Sequence, residues 1–127
     1  MKNLIIITML GLSWTFSFAA LANASQTQTQ LETQHLLNFI KTTQCKYERN
    51  GTLHDGMEAL QHIKKKYEYY RDDIHSSEDF IKYSATKSQM SGKKYRIHCP
   101  GQAIQNSSVW LTGELKKYRS EKEKAVR

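Results

Sequence analysis

Four polar residues in this 127-residue chain have types and spacings that could do chemistry: Arg49, His62, Lys66 and Glu78. His62 and Lys66 stand four apart in "ALQHIKKK", a spacing that stacks both on one face of a helix. A histidine titrates near neutral pH. Beside a carboxylate and two cations it would serve as a general base, or the group would form a pocket for an anion. The competing reading is structural and is preferred on these residues alone: the planar guanidinium of Arg49 pairs with Glu78 and locks the end of a strand onto a helix. No serine or cysteine stands at a recognisable spacing from a histidine base, and there is no phosphate loop and no nucleophile elbow.

The elements that must position these residues follow from periodicity. In "LETQHLLNFIKTTQ" Leu36, Leu37 and Ile40 recur at helical spacing. Cys45 and Tyr47 then alternate with Lys46 and Glu48 as a short strand, which Asn50-Gly51 ends with a turn. "DGMEALQHIKKKYEYYR" places Ala59, Leu60, Ile63, Tyr67 and Tyr70 on one stripe, leaving His62 and Lys66 at its border. Ser76 precedes an acidic first turn and should cap a third helix with Phe80, Ile81 and Ala85 inward. Tyr95, Ile97 and Cys99 alternate with Arg96 and His98 as a second strand, and Ser107 or Ser108 should cap a last helix carrying Leu111, Leu115 and Tyr118. The expected fold is α+β and mostly helical, about four helices with two short strands stapled by one disulfide.

Residues 1–24 read as a secretory signal peptide: Lys2, the apolar run "LIIITMLGLSW", and small residues ending in "ANA". Cleavage is expected after Ala24, giving an exported protein with no transmembrane anchor. Residues 25–30 would be a flexible leader, 31–119 a single globular domain and 120–127 a frayed charged tail. The whole chain carries 19 Lys and Arg against 12 Asp and Glu. Removing Lys2 leaves 18 against 12, a net charge of +6, which favours anionic partners such as an envelope polysaccharide or lipid. Nucleic acid is not expected at that address, although "KKKYEYYR" mixes basic and aromatic residues; Tyr67 and Tyr70 read as core and Lys64 and Lys65 as a solvated face.

An oxidising compartment makes Cys45 and Cys99 a disulfide. The bridge closes a 55-residue loop, worth about 4 kcal/mol in the chain-entropy model. With no C-x-x-C and no H-x-x-x-H, neither a metal site nor a cofactor is expected.

"LLNFI", "CKYERNG", "ALQHIKKK", "SSEDFI", "K-S-x-x-S-G-K-K-Y", "HCPG" and "S-x-W-L", in this order between Leu36 and Arg119, resemble a family of short exported bacterial proteins classed as a domain of unknown function. The resemblance implies a periplasmic address and the Cys45–Cys99 pairing, and no activity. Arg49 and Glu78 fall at polar positions of its pattern. The sequons at Asn50 and Asn106 are then chance. Separately, Ser91, Gly92 and Tyr95 in "SGKKY" are similar to a loop with which some periplasmic lysozyme inhibitors enter the enzyme's cleft. Those inhibitors are mainly β-structured, and a chain of +6 would repel cationic lysozymes. The reading that results is a non-enzymatic binding module for an envelope protein or anionic polymer. Its alternatives are a small enzyme using His62, Lys66 and Glu78, and an inhibitor acting through Ser91 to Tyr95.

Overall fold

The computed structural model describes residues 20–127, with side chains from Gln28 onward. The expected signal peptide, 1–24, thus lies almost wholly outside the described residues. Four helices carry the fold: α1 Ala20–Thr42, α2 Gly56–Tyr69, α3 Ser77–Ser84 and α4 Ser107–Val126. Four short strands, β1 Lys46–Arg49, β2 Thr52–His54, β3 Arg96–His98 and β4 Gln105–Asn106, form one antiparallel sheet in the order β2-β1-β3-β4. The two expected strands are β1 and β3, paired through Tyr47 and Ile97, and two more flank them.

The added strands have identifiable causes. Asn50 and Gly51 both take positive φ, 50° and 80°, so the turn that ends β1 also returns the chain as β2, with Arg49 opposite Thr52. A two-residue Asn-Gly loop of this kind matches the twist of the strands it joins. β4 is only two residues long and exists because Gln105 and Asn106 pair with Ile97 and Arg96 before α4 begins.

Helix ends also differ from expectation. α1 begins upstream of Leu31, so the segment expected as a leader is helical. Glu32 and Thr33 are buried, and packing carries the helix through a stretch that has no apolar stripe. α4 extends past Arg119 to Val126; "SEKEKA" is rich in good helix formers. Ser76 caps α3 as expected, accepting from the Asp79 N–H at 3.1 Å, and Asp55 caps α2 through the Glu58 N–H. Ser107 and Ser108 do not cap α4. The cap residue is Asn106, without a side-chain bond. The Ser107 hydroxyl lies in the core instead, 2.7 Å from the Tyr47 hydroxyl. Tyr47 donates to the Ala85 carbonyl at 3.2 Å, so Ser107 must donate to Tyr47. That chain of bonds ties the sheet to the end of α3 and the start of α4. Burial pushes the Tyr47 phenol pKa far up, so it stays a neutral donor.

Leu36 and Ile40 of α1, Ile63 of α2, Phe80 of α3, Tyr95 just before β3, Ile97 within it, and Leu111 and Leu115 of α4 form a single core. The Cys45–Cys99 disulfide closes the end of the β1–β3 pair, with Cα atoms 4.3 Å apart. Gly56 sets the crossing of α2 on α1: a Cβ there would stand 2.4 Å from the Ile40 carbonyl oxygen and 2.8 Å from that of Lys41. Both obstacles are backbone and cannot rotate away, so glycine lets α2 begin against the end of α1. From there α2 runs against β1 and β2, with His62 bonded to Arg49 at the end of β1.

Candidate functional site

β1 ends in Arg49, α2 carries His62 and Lys66 one turn apart, and the chain entering β3 carries Tyr95. These four side chains meet. Arg49 Nη1 is hydrogen-bonded to His62 Nδ1. His62 Nε2 lies 3.0 Å from the Tyr95 hydroxyl, and Lys66 Nζ lies 3.3 Å from it. Lys66 also donates to the Lys87 carbonyl at 2.6 Å and stands 4.9 Å from the centre of the Tyr95 ring.

The proton positions follow from what each group can do. Arginine donates and never accepts, so His62 Nδ1 must be the unprotonated, accepting nitrogen. The histidine proton is therefore on Nε2 and is donated to Tyr95 Oη. Lysine also only donates, so the same oxygen receives a second bond. The phenol's own proton then points away from both. Burial, then Arg49, Lys66, His54 and Lys65, lower the His62 pKa from 6.5 to about 4, so the ring is neutral at neutral pH. Burial is likewise the main cause that lowers the pKa of Lys66 and raises that of Tyr95.

This cluster forms part of the wall of an open cleft of about 670 Å³, which Lys65, Tyr69 and Tyr70 also line. Among the described residues no carboxylate pairs with Arg49, Lys65 or Lys66. The one carboxylate bonded to a lining residue is Glu58, which holds His54 at 2.8 Å. Arg49 uses one of its five N–H groups on His62, and Lys66 uses two of three. What the cluster still offers is donors and positive charge.

Glu78 is not part of it. Its carboxylate pairs with Arg119 of α4, whose guanidinium also holds the buried Glu32 of α1. The expected Arg49–Glu78 pairing is therefore replaced by two separate arrangements. Arg119 reaches Glu78 because α3 and α4 pack on each other, whereas Arg49 stands over α2. Without Glu78 the constellation drawn for general base catalysis lacks its carboxylate, and among the described residues no serine hydroxyl is within hydrogen-bond reach of a histidine.

Of the Ser91 to Tyr95 segment, only Tyr95 lines the same cleft. Ser91 Oγ donates to Asn50 Oδ1 at 2.5 Å, fastening the turn at Gly92, whose φ is 71°, to the β1–β2 turn. Tyr95 is 1% exposed, so it belongs to the core while forming part of the cleft wall; it is not displayed by a protruding loop. Of the two candidate sites read from the sequence, Arg49, His62 and Lys66 of the first and Tyr95 of the second share this cleft, whereas Glu78, Ser91 and Gly92 do not line it. In the sequence Lys65 reads as a solvated face and Tyr70 as core, and Tyr69 has no assigned role, yet all three line the cleft. The alternation of basic and aromatic residues in "KKKYEYYR" was the signal for their shared cleft.

Residues 27–119 match the family described as a family of unknown function, DUF5329. The chain belongs to the DUF5329 family. No curated protein matches it, and no solved structure does. Both the cleft and the disulfide fall within the DUF5329 region. Among the described residues no helix is long and apolar enough to cross a membrane, and no three His, Cys, Asp or Glu side chains are grouped to hold a metal ion.

Proposed function

We propose that this DUF5329 protein is an exported, non-enzymatic binding module whose ligand is an anion held in the Arg49–Lys66–Tyr95 cleft. The observation that carries this reading is the donor-only chemistry of the cluster. Arg49, Lys66 and the Tyr95 hydroxyl all present N–H or O–H groups, and no carboxylate neutralises them. An uncompensated set of donors in a concave site favours an oxyanion, and the arginine fork suits a carboxylate or phosphate. The net positive charge of the chain adds long-range attraction. As a base, His62 is poorly suited to neutral pH, with a pKa lowered to about 4. Held between Arg49 and Tyr95, it serves to orient both.

The signal-like residues 1–24 and the Cys45–Cys99 bridge support export to an oxidising compartment. A periplasmic fraction would then contain a protein beginning at Ser25, its thiols resistant to alkylation until reduced.

The binding test is a titration with inorganic phosphate and with a sulfated polyanion, followed by calorimetry and by amide chemical shifts. Lys65→Glu with Lys66→Gln should weaken both ligands by about tenfold or more, since each charge-assisted bond contributes on the order of 1.5–3 kcal/mol. Circular dichroism should be unchanged. Equal affinity in wild type and variant would remove the cleft as the binding site.

A further inference from the structure

The charges of the cleft do not account for its aromatic wall. Tyr69 ends α2 and is 81% exposed, while Tyr70 follows it, and both line the cavity. The Tyr70 ring is stacked on Tyr83 at 5.5 Å and 27°, so a second aromatic ring braces it. Tyr69 meets Tyr70 edge-on, at 4.8 Å and 82°. Met90, fully exposed, lines the same space. This is apolar surface left in water next to unpaired cations.

The ring geometry selects among anions. Perpendicular rings leave single open faces and no slot between parallel planes, so a flat nucleobase would not be sandwiched here. A pyranose needs only one open aromatic face: its axial C–H groups carry partial positive charge and sit on the negative face of the ring. Asn50, Thr52, Ser88 and Gln89, also in the lining, supply the neutral donors and acceptors that sugar hydroxyls require. A cavity of about 670 Å³ accommodates a ligand of saccharide size.

Resting on the anion-binding reading above, we propose that the cleft takes an acidic saccharide. Its C–H face lies on the Tyr69–Tyr70 wall and its carboxylate or phosphate meets Arg49 and Lys66. The ligand is held by two different interactions, and neither alone accounts for the lining.

The purified protein is titrated, by calorimetry and chemical-shift mapping, with acetate, inorganic phosphate, glucose, glucuronate, glucose 6-phosphate and adenosine monophosphate. Glucuronate should bind about tenfold more tightly than acetate, or glucose 6-phosphate about tenfold more tightly than inorganic phosphate, with glucose alone weaker than the better acidic sugar. Which of the two gains decides between a uronic acid and a sugar phosphate. Tyr69→Ala, a change at an exposed position, should reduce that advantage to about onefold. If inorganic phosphate binds but neither acidic sugar exceeds its simple anion, the saccharide proposal falls and the anion site stands. If no anion binds, both fall. Adenosine monophosphate binding ten times more tightly than either sugar would replace the saccharide with a nucleotide. An advantage that survives Tyr69→Ala would also overturn the proposal.

Discussion

Two clefts of similar size, about 670 Å³ and about 740 Å³, are each built around an arginine, and the arginines live in opposite electrostatic settings. In the larger, between the outer ends of α1 and α4, Arg119 is closed by two carboxylates: Glu32, only 5% exposed in its side chain, and Glu78, which is 56% exposed. Its guanidinium is held charged well above the ordinary arginine range by those two hydrogen bonds. In the smaller, Arg49 faces a neutral histidine, Lys66 and a phenol, and charge of one sign accumulates. The first arrangement spends its charge on holding three helices together. The second holds its charge in reserve for something that is not part of the chain. A cationic surface alone would not separate these cases, because both contain an arginine in a groove. The inventory of carboxylates does.

The comparison is broken most directly by removing each arginine in turn. Arg119→Met leaves the Glu32 carboxylate buried without its partner, an imbalance that costs about 3 kcal/mol when the pair is this far from solvent on one side only. Arg49→Met removes one member of a like-charged group and should change stability by less than about 0.5 kcal/mol, while abolishing anion binding. Urea unfolding midpoints measure both. If Arg49→Met proves the more damaging, the assignment of one arginine to the fold and the other to a ligand is reversed.

A smaller effect separates the two carboxylates on Arg119. Glu78 is largely exposed, so Glu78→Gln should cost under about 1 kcal/mol, as exposed ion pairs do. The Arg119 hydrogen bond holds the Glu78 carboxyl below the usual carboxylate range. Its contribution is therefore fully present above the ordinary glutamate pKa and is lost as pH falls through the lowered one. The difference in stability between wild type and Glu78→Gln should shrink to nothing in acid. A difference that persists there would mean that Glu78 acts through packing.

Much of this architecture was legible in the residues, and what was missed shares one physical cause. Stripes such as Leu36, Leu37 and Ile40, or Phe80, Ile81 and Ala85, state which face of a helix is buried, and all of these residues are in the core. A stripe does not state what lies opposite it. Hence Arg49 and Glu78 were drawn together as complementary charges, although Arg119 lies 41 residues beyond Glu78 and neutralises it. The Asn50-Gly51 turn was recognised as the end of a strand, but "TLH" is too short to carry an alternating pattern, so its return strand left no signal of its own. His62 and Lys66 were singled out because their i,i+4 spacing is local. Tyr95 belongs to a loop motif in the sequence, and the β1–β3 pairing together with the docking of α2 brings it to the same point.

The finest test concerns His62, whose neutral form the smaller cleft requires. Its pKa falls from 6.5 to about 4, chiefly through burial and then through Arg49, Lys66, His54 and Lys65, all of which are cationic when protonated. Between those two values the unfolded chain binds a proton that the folded chain does not, so stability must fall as pH drops from about 6.5 towards about 4 and level off below. Gln at this position can accept from Arg49 and donate to Tyr95 but cannot titrate. His62→Gln should therefore fold with a shallower pH dependence across that window, while the acid limb set by Glu48 and Glu78 remains. Phosphate sharpens the comparison further. An anion seated between Arg49 and Lys66 cancels part of the field that depresses the imidazole, and so should raise the His62 pKa back towards its ordinary value, as read by proton chemical shifts. Phosphate added in excess without that rise would place the anion elsewhere, and the open charge of the cleft would then need another occupant.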